Sequence, residues 1–436
     1  MISNGHAKRD GRWRRRLLFA LAVGLTALVC WLALTDNPRV WPVRNTVQYH
    51  LVRRWDALVG ARRGAPITLR GMVQTTDGAP IPQAWVLVAG QDGTPYSTET
   101  DAVGAFTIQD VPAGAYVPIA GASGYADRAF RRFGLFRFRL NGQSMLDLRL
   151  APVRPAVPPP VPVDDFRLAE PEYLRIDAPI PSSAVRRAVH FDVAGRPNQT
   201  TLFYTPNDGG VTALPTLLVV YPGPADQWET VSFPLAAAGY AVLAVGPAYA
   251  LDLEPDVADL ERLLAAMHAG HLPRADPARV GVLGGSYSSL HVFRLLERDR
   301  YPIGAALFLG PPTDLFEMRR QFSAGEIAPP FGLDQALIAL GFPDRKPEPY
   351  WRYSARYHAR SLDVPMLLVH SKADEIVPFQ QSEILSAELQ RIGQPHALHI
   401  LEGMGHYLLA TERTPSVDAL FNLTIDFFAE HLVANE

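Results

Sequence analysis

The chain has 436 residues, room for two or three domains, and its 48% apolar and 19% charged residues exclude a disordered protein. A net charge of −3 gives no reason to expect nucleic acid as a partner. The one cysteine, Cys30, excludes an intrachain disulfide and any cysteine-built metal site. Positive charge is almost all arginine, since only Lys8, Lys346 and Lys372 are lysines.

Residues 1–16 end in "KRDGRWRRR", and the uncharged run 17–34, "LLFALAVGLTALVCWLAL", follows at once. As a helix, at about 1.5 Å per residue, this run reaches roughly 27 Å, enough for a thin hydrocarbon core. The basic flank predicts an uncleaved single-pass transmembrane helix with a cytoplasmic N-terminus. The remainder is then exported across a bacterial cell membrane. A cleaved signal peptide is the competing reading, although no good A-x-A site follows the run. The juxtamembrane segment 35–65 is also rich in arginine (Arg39, Arg44, Arg53, Arg54, Arg62, Arg63), so the asymmetry rests on local density.

From 66 to 151 short strand-like runs alternate with turn signals such as Asp77-Gly78 and Asp92-Gly93, which predicts a small antiparallel β-sandwich. Within it "FRRFGLFRF", 130–138, interleaves arginine with aromatic residues. It reads as a two-sided strand with a solvated arginine face, or as a contact for a partner or membrane. The proline-rich stretch 152–165, "PVRPAVPPPVPVDD", holds neither a helix nor a central strand and predicts an extended linker.

After Asp165 the pattern becomes strand, helix, strand, helix, through 166–436. "RAVHFDV" and "QTTLFYT" read as an opening hairpin; "PTLLVVYP", "YAVLAVG", "RVGVLGG", "IGAALFLG", "VPMLLVH" and "HALHILEG" read as buried parallel strands. The prediction is an α/β domain with a doubly wound, mostly parallel sheet, whose reactive groups sit on loops leaving the carboxyl ends of strands. Three such loops offer three roles. Ser286, in "LGGSYSSL", stands between a strand and a helix on a tight turn that exposes a nucleophile. Asp374 follows "VPMLLVH", with Glu375 as the weaker choice of orienting acid. His406 follows "HALHILEG" and is the candidate base. The chain order Ser, Asp, His is that of the α/β-hydrolases. The elbow has Ser288 where a glycine is expected; Ser288 is small enough to be tolerated, so Ser288→Gly should leave activity largely intact.

An oxyanion site needs donors. The Tyr287 amide is one. The loop Tyr221-Pro222-Gly223-Pro224 offers the Gly223 amide, with Ala225 further on, or the Tyr221 hydroxyl, because proline has no N–H. Segment 313–360, with Phe316, Phe322, Phe331, Phe342 and Trp351, predicts a helical cap whose aromatics line an apolar pocket or simply pack. His268 and His271 are read as non-ligands, and no metal or cofactor is expected.

Two resemblances follow from these residues. "GMVQTTDGAPIPQAWV" and "TETDAVGAFTIQDVPAGAYVPIAGASGY" resemble the carboxypeptidase regulatory-like domain, a transthyretin-like sandwich that implies a structural role or a protein or glycan contact. "VVYPGPADQ", "RVGVLGGSYSS" and "YWRYSARYHARSLDVPMLLVHSKADEIVPFQQ" resemble the catalytic domain of the prolyl oligopeptidase family, over roughly residues 210–432. That likeness implies an α/β-hydrolase with Ser286 as nucleophile, His406 as base, Asp374 as orienting acid, and the Tyr221 hydroxyl with the Tyr287 amide as oxyanion donors. The family's propeller is missing, so an ester or a peptide substrate fits equally. The function expected is therefore a membrane-anchored serine hydrolase working through an acyl-enzyme on a small-molecule ester or peptide. The alternative is a non-catalytic adhesion or scaffold protein built on a retired hydrolase.

Overall fold

The computed structural model describes residues 7–35, 40–59, 64–153, 161–191, 200–247, 249–330, 332–406 and 413–432. The heart of the predicted linker, 154–160, lies outside the described residues, as does Phe331. The chain divides into two compact units, Met1–Arg62 with Phe331–Phe342, and Arg63–Pro330 with Pro343–Glu436.

In the first unit the predicted anchor run falls inside one helix, Ala7–Leu34. Leu18, Phe19, Leu21 and Leu25 on it are well exposed. Among the described residues no helix is long and apolar enough to cross a membrane, and the side chains of Ala33 and Leu34, which close the run, are not among those described. A second helix spans Trp41–Val59.

In the second unit, residues 66–150 form the β-rich domain. Ala105–Pro112, Pro66–Thr75 and Met145–Leu150 make one sheet; Pro95–Glu99, Trp85–Ala89, Ile119–Gly121 and Arg128–Ala129 make another. Alternate residues Leu69, Val73, Val86, Val88, Phe106, Ile108, Leu146 and Leu148 form its core, the period-two pattern of strands with one face inward. The domain is not wholly antiparallel: Pro66–Thr75 and Met145–Leu150 pair in parallel. The strands that intervene in sequence supply the crossover a parallel pair needs. Nor is 130–138 a strand. Arg132 and Phe136 bridge a tight turn in which Phe133 and Gly134 both have positive φ, and the strand Phe138–Leu140 begins only afterwards. This domain packs against the residues that follow it in the same unit. Glu99 pairs with Arg360 and Arg391, Arg131 with Glu348 and Arg137 with Asp344, while Trp85 sets its ring edge against Tyr357.

The α/β domain is built on a sheet of eight strands, β1 Ser182–His190, β2 Thr200–Pro206, β3 Leu214–Val220, β4 Ala241–Gly246, β5 Ala275–Gly285, β6 Ala305–Leu309, β7 Met366–Ser371 and β8 His396–Leu401. Their order is β1-β2-β4-β3-β5-β6-β7-β8, with two short strands, Arg167–Leu168 and Glu172–Ile176, antiparallel to β1. β2 is antiparallel to both of its neighbours, β1 and β4, and from β4 onward every pair is parallel. Apolar runs such as Leu217-Leu218-Val219-Val220 form central strands because both faces are covered. Leu218, Val220, Val282, Phe308 and Leu368 join the core that includes helices Glu254–His268, Ser289–Arg298 and Gln380–Ile392. Leu217, Val219, Leu283, Leu307 and Leu367 join the opposite one, with helices Glu229–Ala237 and Pro415–His431. β8 departs from the expectation of a fully buried strand: it is the sheet edge and alternates between half-buried and exposed residues. This is an α/β-hydrolase fold preceded by a β-rich domain.

Candidate active site

β5 ends at Gly285, whose backbone is extended, and the next residue, Ser286, has φ +51° before the chain turns into Ser288 and helix Ser289–Arg298. A left-handed conformation is costly for a non-glycine residue, and here it lifts the hydroxyl out of the strand-to-helix turn. Glycine is required at 284 because strand and helix nearly collide. A Cβ there would stand 2.9 Å from Ser289 Cα and from Val292 Cγ2. Ser288, the residue standing where glycine was expected, is fully buried and does more than fit. Its hydroxyl accepts the Gly285 N–H at 3.1 Å and donates to Val220 O, the last carbonyl of β3, or to Gly285 O at 2.7 Å. The elbow is thus tied to the neighbouring strand, which corrects the expectation that Ser288 is merely tolerated.

Ser286 Oγ lies 2.8 Å from His406 Nε2, and His406 Nδ1 lies 2.8 and 3.0 Å from the two oxygens of Asp374. A carboxylate only accepts, so Nδ1 carries the proton and Nε2 is left to accept from the serine hydroxyl. Both side chains are more than nine-tenths buried. Two loops are locked together to achieve this. Asp374 Oδ1 accepts the amides of Ile376 and Val377, and the Ser371 hydroxyl donates to Met404 O across from the β7 loop to the β8 loop. Glu375, the weaker choice of acid, accepts the backbone N–H of His406 at 3.2 Å and so positions that loop.

His370, the penultimate residue of β7, was not singled out from the sequence. It is fully buried, with Nε2 2.8 Å from Val377 O and 3.4 Å from Asp374 Oδ2, and Nδ1 2.7 Å from Ser382 Oγ. A carbonyl only accepts, so Nε2 carries the proton and points it between the carbonyl and Asp374. Burial pushes the Asp374 carboxyl up, but the hydrogen bonds from His370 and His406, the electrostatic attraction to the His406 ring and the Val377 amide outweigh it and hold Asp374 well below the usual carboxylate range.

The oxyanion candidates separate. Tyr287 occupies the second position of the turn after β5, where helical geometry supplies no acceptor for its N–H. Gly223 sits in the bend after β3, where its N–H finds no protein acceptor among the described residues. A Cβ on Gly246, at the end of β4, would stand 2.2 Å from Gly223 O, so glycine at 246 is what lets this loop lie against the strand. Ala225 begins the short turn Ala225–Trp228. Tyr221 is buried, stacked on Trp228 with ring centroids 5.2 Å apart, and its hydroxyl is paired with Ser232 at 2.8 Å.

Of the predicted cap aromatics, Phe316, Phe322 and Trp351 pack on their own segment. Phe316 lies against Tyr350 and Tyr357, and Trp351 stacks on Tyr357. Phe322 lies beneath the Arg319 guanidinium, and Phe342 stacks on Tyr49. His268 and His271 lie against the rings of Tyr301 and Phe166. Among the described residues, no group of three or more His, Cys, Asp or Glu side chains is placed to hold a metal ion.

Residues 254–434 match the prolyl oligopeptidase family, and 68–150 match the carboxypeptidase regulatory-like domain. The chain is 24% identical over 237 residues to the uncharacterized peptidase YuxL of Bacillus subtilis (strain 168); the match covers 49% of this chain and 35% of that relative's length. Similar solved structures include an acetyl ester-xyloside bifunctional hydrolase from Caldicellulosiruptor lactoaceticus (20% identity, TM-score 0.44, 55% of this chain and 90% of that one). Another is the Pyrococcus horikoshii acylaminoacyl peptidase (15% identity, TM-score 0.44, 81% and 55%). The chain thus joins a stretch similar to the carboxypeptidase regulatory-like domain to a following stretch similar to the prolyl oligopeptidase family.

Proposed function

We propose that this chain hydrolyses carboxylic ester or peptide bonds through Ser286, His406 and Asp374. The observation that carries the reading is the continuous relay, 2.8 Å from Ser286 Oγ to His406 Nε2 and 2.8 Å from Nδ1 to Asp374, built on a serine with positive φ. Ser286 Oγ attacks the substrate carbonyl carbon while its proton passes to His406 Nε2. Asp374 keeps the Nδ1 proton in place and stabilises the imidazolium. The oxyanion is met by the amides of Tyr287 and Gly223, which are available without rearrangement. The Tyr221 hydroxyl can join them while it accepts from Ser232, which leaves its own hydrogen to donate. The leaving group takes the proton from Nε2 as the tetrahedral adduct collapses to an acyl-enzyme. Water then attacks, giving its proton to His406, and the acid is released as Ser286 regains its hydrogen.

The uncharged run 17–34, its arginine flank and its exposed apolar side chains support an anchored enzyme, with the hydrolase domain on the extracytoplasmic side. The test is purified protein on two panels, p-nitrophenyl esters of rising acyl length and aminoacyl or dipeptidyl nitroanilides, each run beside Ser286→Ala. Turnover on either panel that Ser286→Ala abolishes supports the reading. Inertness of folded protein on both, or turnover that survives the substitution, would overturn it.

A further inference from the structure

Helix Trp41–Val59 has two apolar faces. One is satisfied inside its own compact unit: the helix packs on Leu333–Ala339, Asn45 Nδ2 donates to Ala339 O at 2.5 Å, and Tyr49 stacks on Phe342. The other is bare. Val43, Val47, Leu51, Trp55 and Leu58 are each more than half exposed. Successive steps of four, four, four and three residues put these five side chains within about 120° of arc on a helix of 3.6 residues per turn. Exposed Arg54 falls between Val43 and Val47 on this arc, His50 lies at its edge and Arg53 about 80° outside it.

A largely apolar arc that includes tryptophan, with arginine at its margin, is the make-up of a helix lying in a bilayer interface. Trp55 suits the headgroup level, and arginine side chains can bury their stems while reaching lipid phosphates. The stripe also follows directly on the apolar helix Ala7–Leu34, within the same compact unit. Pairing with a second copy fits less well. The steps are wider than the 3.5-residue repeat of a left-handed coiled coil, so the stripe drifts away from a partner's seam.

We propose that the Val43–Leu58 face rests on the surface of the anionic bilayer that the N-terminal helix enters, holding residues 332–342, packed on its other side, at that surface. The inference rests on the anchored reading above and adds a second, in-plane membrane contact to it.

The test uses the full chain with Cys30→Ser and single cysteines at Val47→Cys, Leu51→Cys or Trp55→Cys, and at Arg53→Cys off the stripe. Each is labelled with an environment-sensitive fluorophore and reconstituted into phosphatidylcholine vesicles containing phosphatidylglycerol and headgroup-nitroxide lipid. Quenching at 47, 51 and 55 should exceed that at 53 by about threefold, with blue-shifted emission. Equal quenching at all four positions overturns the proposal. So does energy transfer between labelled copies without lipid quenching, which would assign the face to a second copy. The unsubstituted chain labelled at Cys30, with deep-chain nitroxides, tests the anchor separately. Quenching at Cys30 with none on the stripe defeats the in-plane helix alone. Quenching on the stripe without Cys30 defeats the spanning helix and keeps the in-plane one.

Discussion

Ser288→Ala removes a hydroxyl that joins the nucleophile turn to the end of β3. Oγ holds the Gly285 N–H and donates to Val220 O or Gly285 O in a fully buried position, so its loss leaves buried backbone groups without a partner. At about 1 kcal/mol net per hydrogen bond, and somewhat more for a buried group left unpaired, the expected loss is about 2–3 kcal/mol of stability. Catalysis should suffer separately. Val220 immediately precedes the loop that carries Gly223, and the same tie keeps the Gly223 and Tyr287 amides in register. Complete loss of one oxyanion donor costs about 2.7–4 kcal/mol, so a displaced donor should lower kcat by about 10- to 100-fold with KM nearly unchanged. Ser289→Ala is the matched control, because the Ser289 hydroxyl is buried with no hydrogen-bond partner among the described residues. Its removal should be neutral or slightly stabilising. Urea unfolding and p-nitrophenyl ester kinetics on both variants decide the matter. Wild-type stability and turnover in Ser288→Ala, or an equal loss in Ser289→Ala, would show that the hydroxyl ties nothing.

Gly284→Ala should cost at least about 2 kcal/mol, or prevent folding, since its Cβ would meet Ser289 Cα at 2.9 Å; thermal melts and soluble yield report it. Asp374→Asn should keep the fold and lower kcat by about 10⁴, because an amide no longer fixes the Nδ1–H tautomer of His406. The pH dependence follows from the lowered Asp374 carboxyl. A folded pKa below the unfolded value contributes stability that is complete above about pH 3.9 and disappears as pH falls towards the folded value. Urea midpoints of wild type and Asp374→Asn should therefore differ at pH 7 and 5 and converge below about pH 4. His370→Gln should lower kcat by about tenfold at constant KM by loosening Asp374, with His370→Phe worse, since phenylalanine cannot donate to Val377 O or Asp374.

The parts of the site that were legible in the sequence are those written locally. Ser286, Asp374 and His406 each follow an apolar strand, and the fold's rule that reactive groups sit at the carboxyl ends of strands joins three separate stretches into one relay. What could not be read depends on partners far away in sequence. Ser288 resembled a tolerated substitution until Val220, on another strand, became its acceptor. His370 looked like one more strand residue, and only the turn at 374–377 and Ser382 reveal it as a support for Asp374. The Tyr221 hydroxyl is attractive as a donor because proline silences its neighbours, and only the fold shows that Ser232, on the helix that follows, pairs with it. In the β domain, alternation marked 130–138 as a strand, but alternation does not report backbone sign, and positive φ at Phe133 and Gly134 turns the chain there.

Whether Ser286 becomes acylated is settled by mass spectrometry of the intact protein after a fluorophosphonate or a slow p-nitrophenyl ester. One adduct per chain should appear on the peptide containing Ser286 and vanish in Ser286→Ala, with His406→Ala labelling far more slowly. Folded wild-type protein that takes up no adduct, or an adduct that persists undiminished in Ser286→Ala, would mean that the relay of Ser286, His406 and Asp374 is not a working nucleophile.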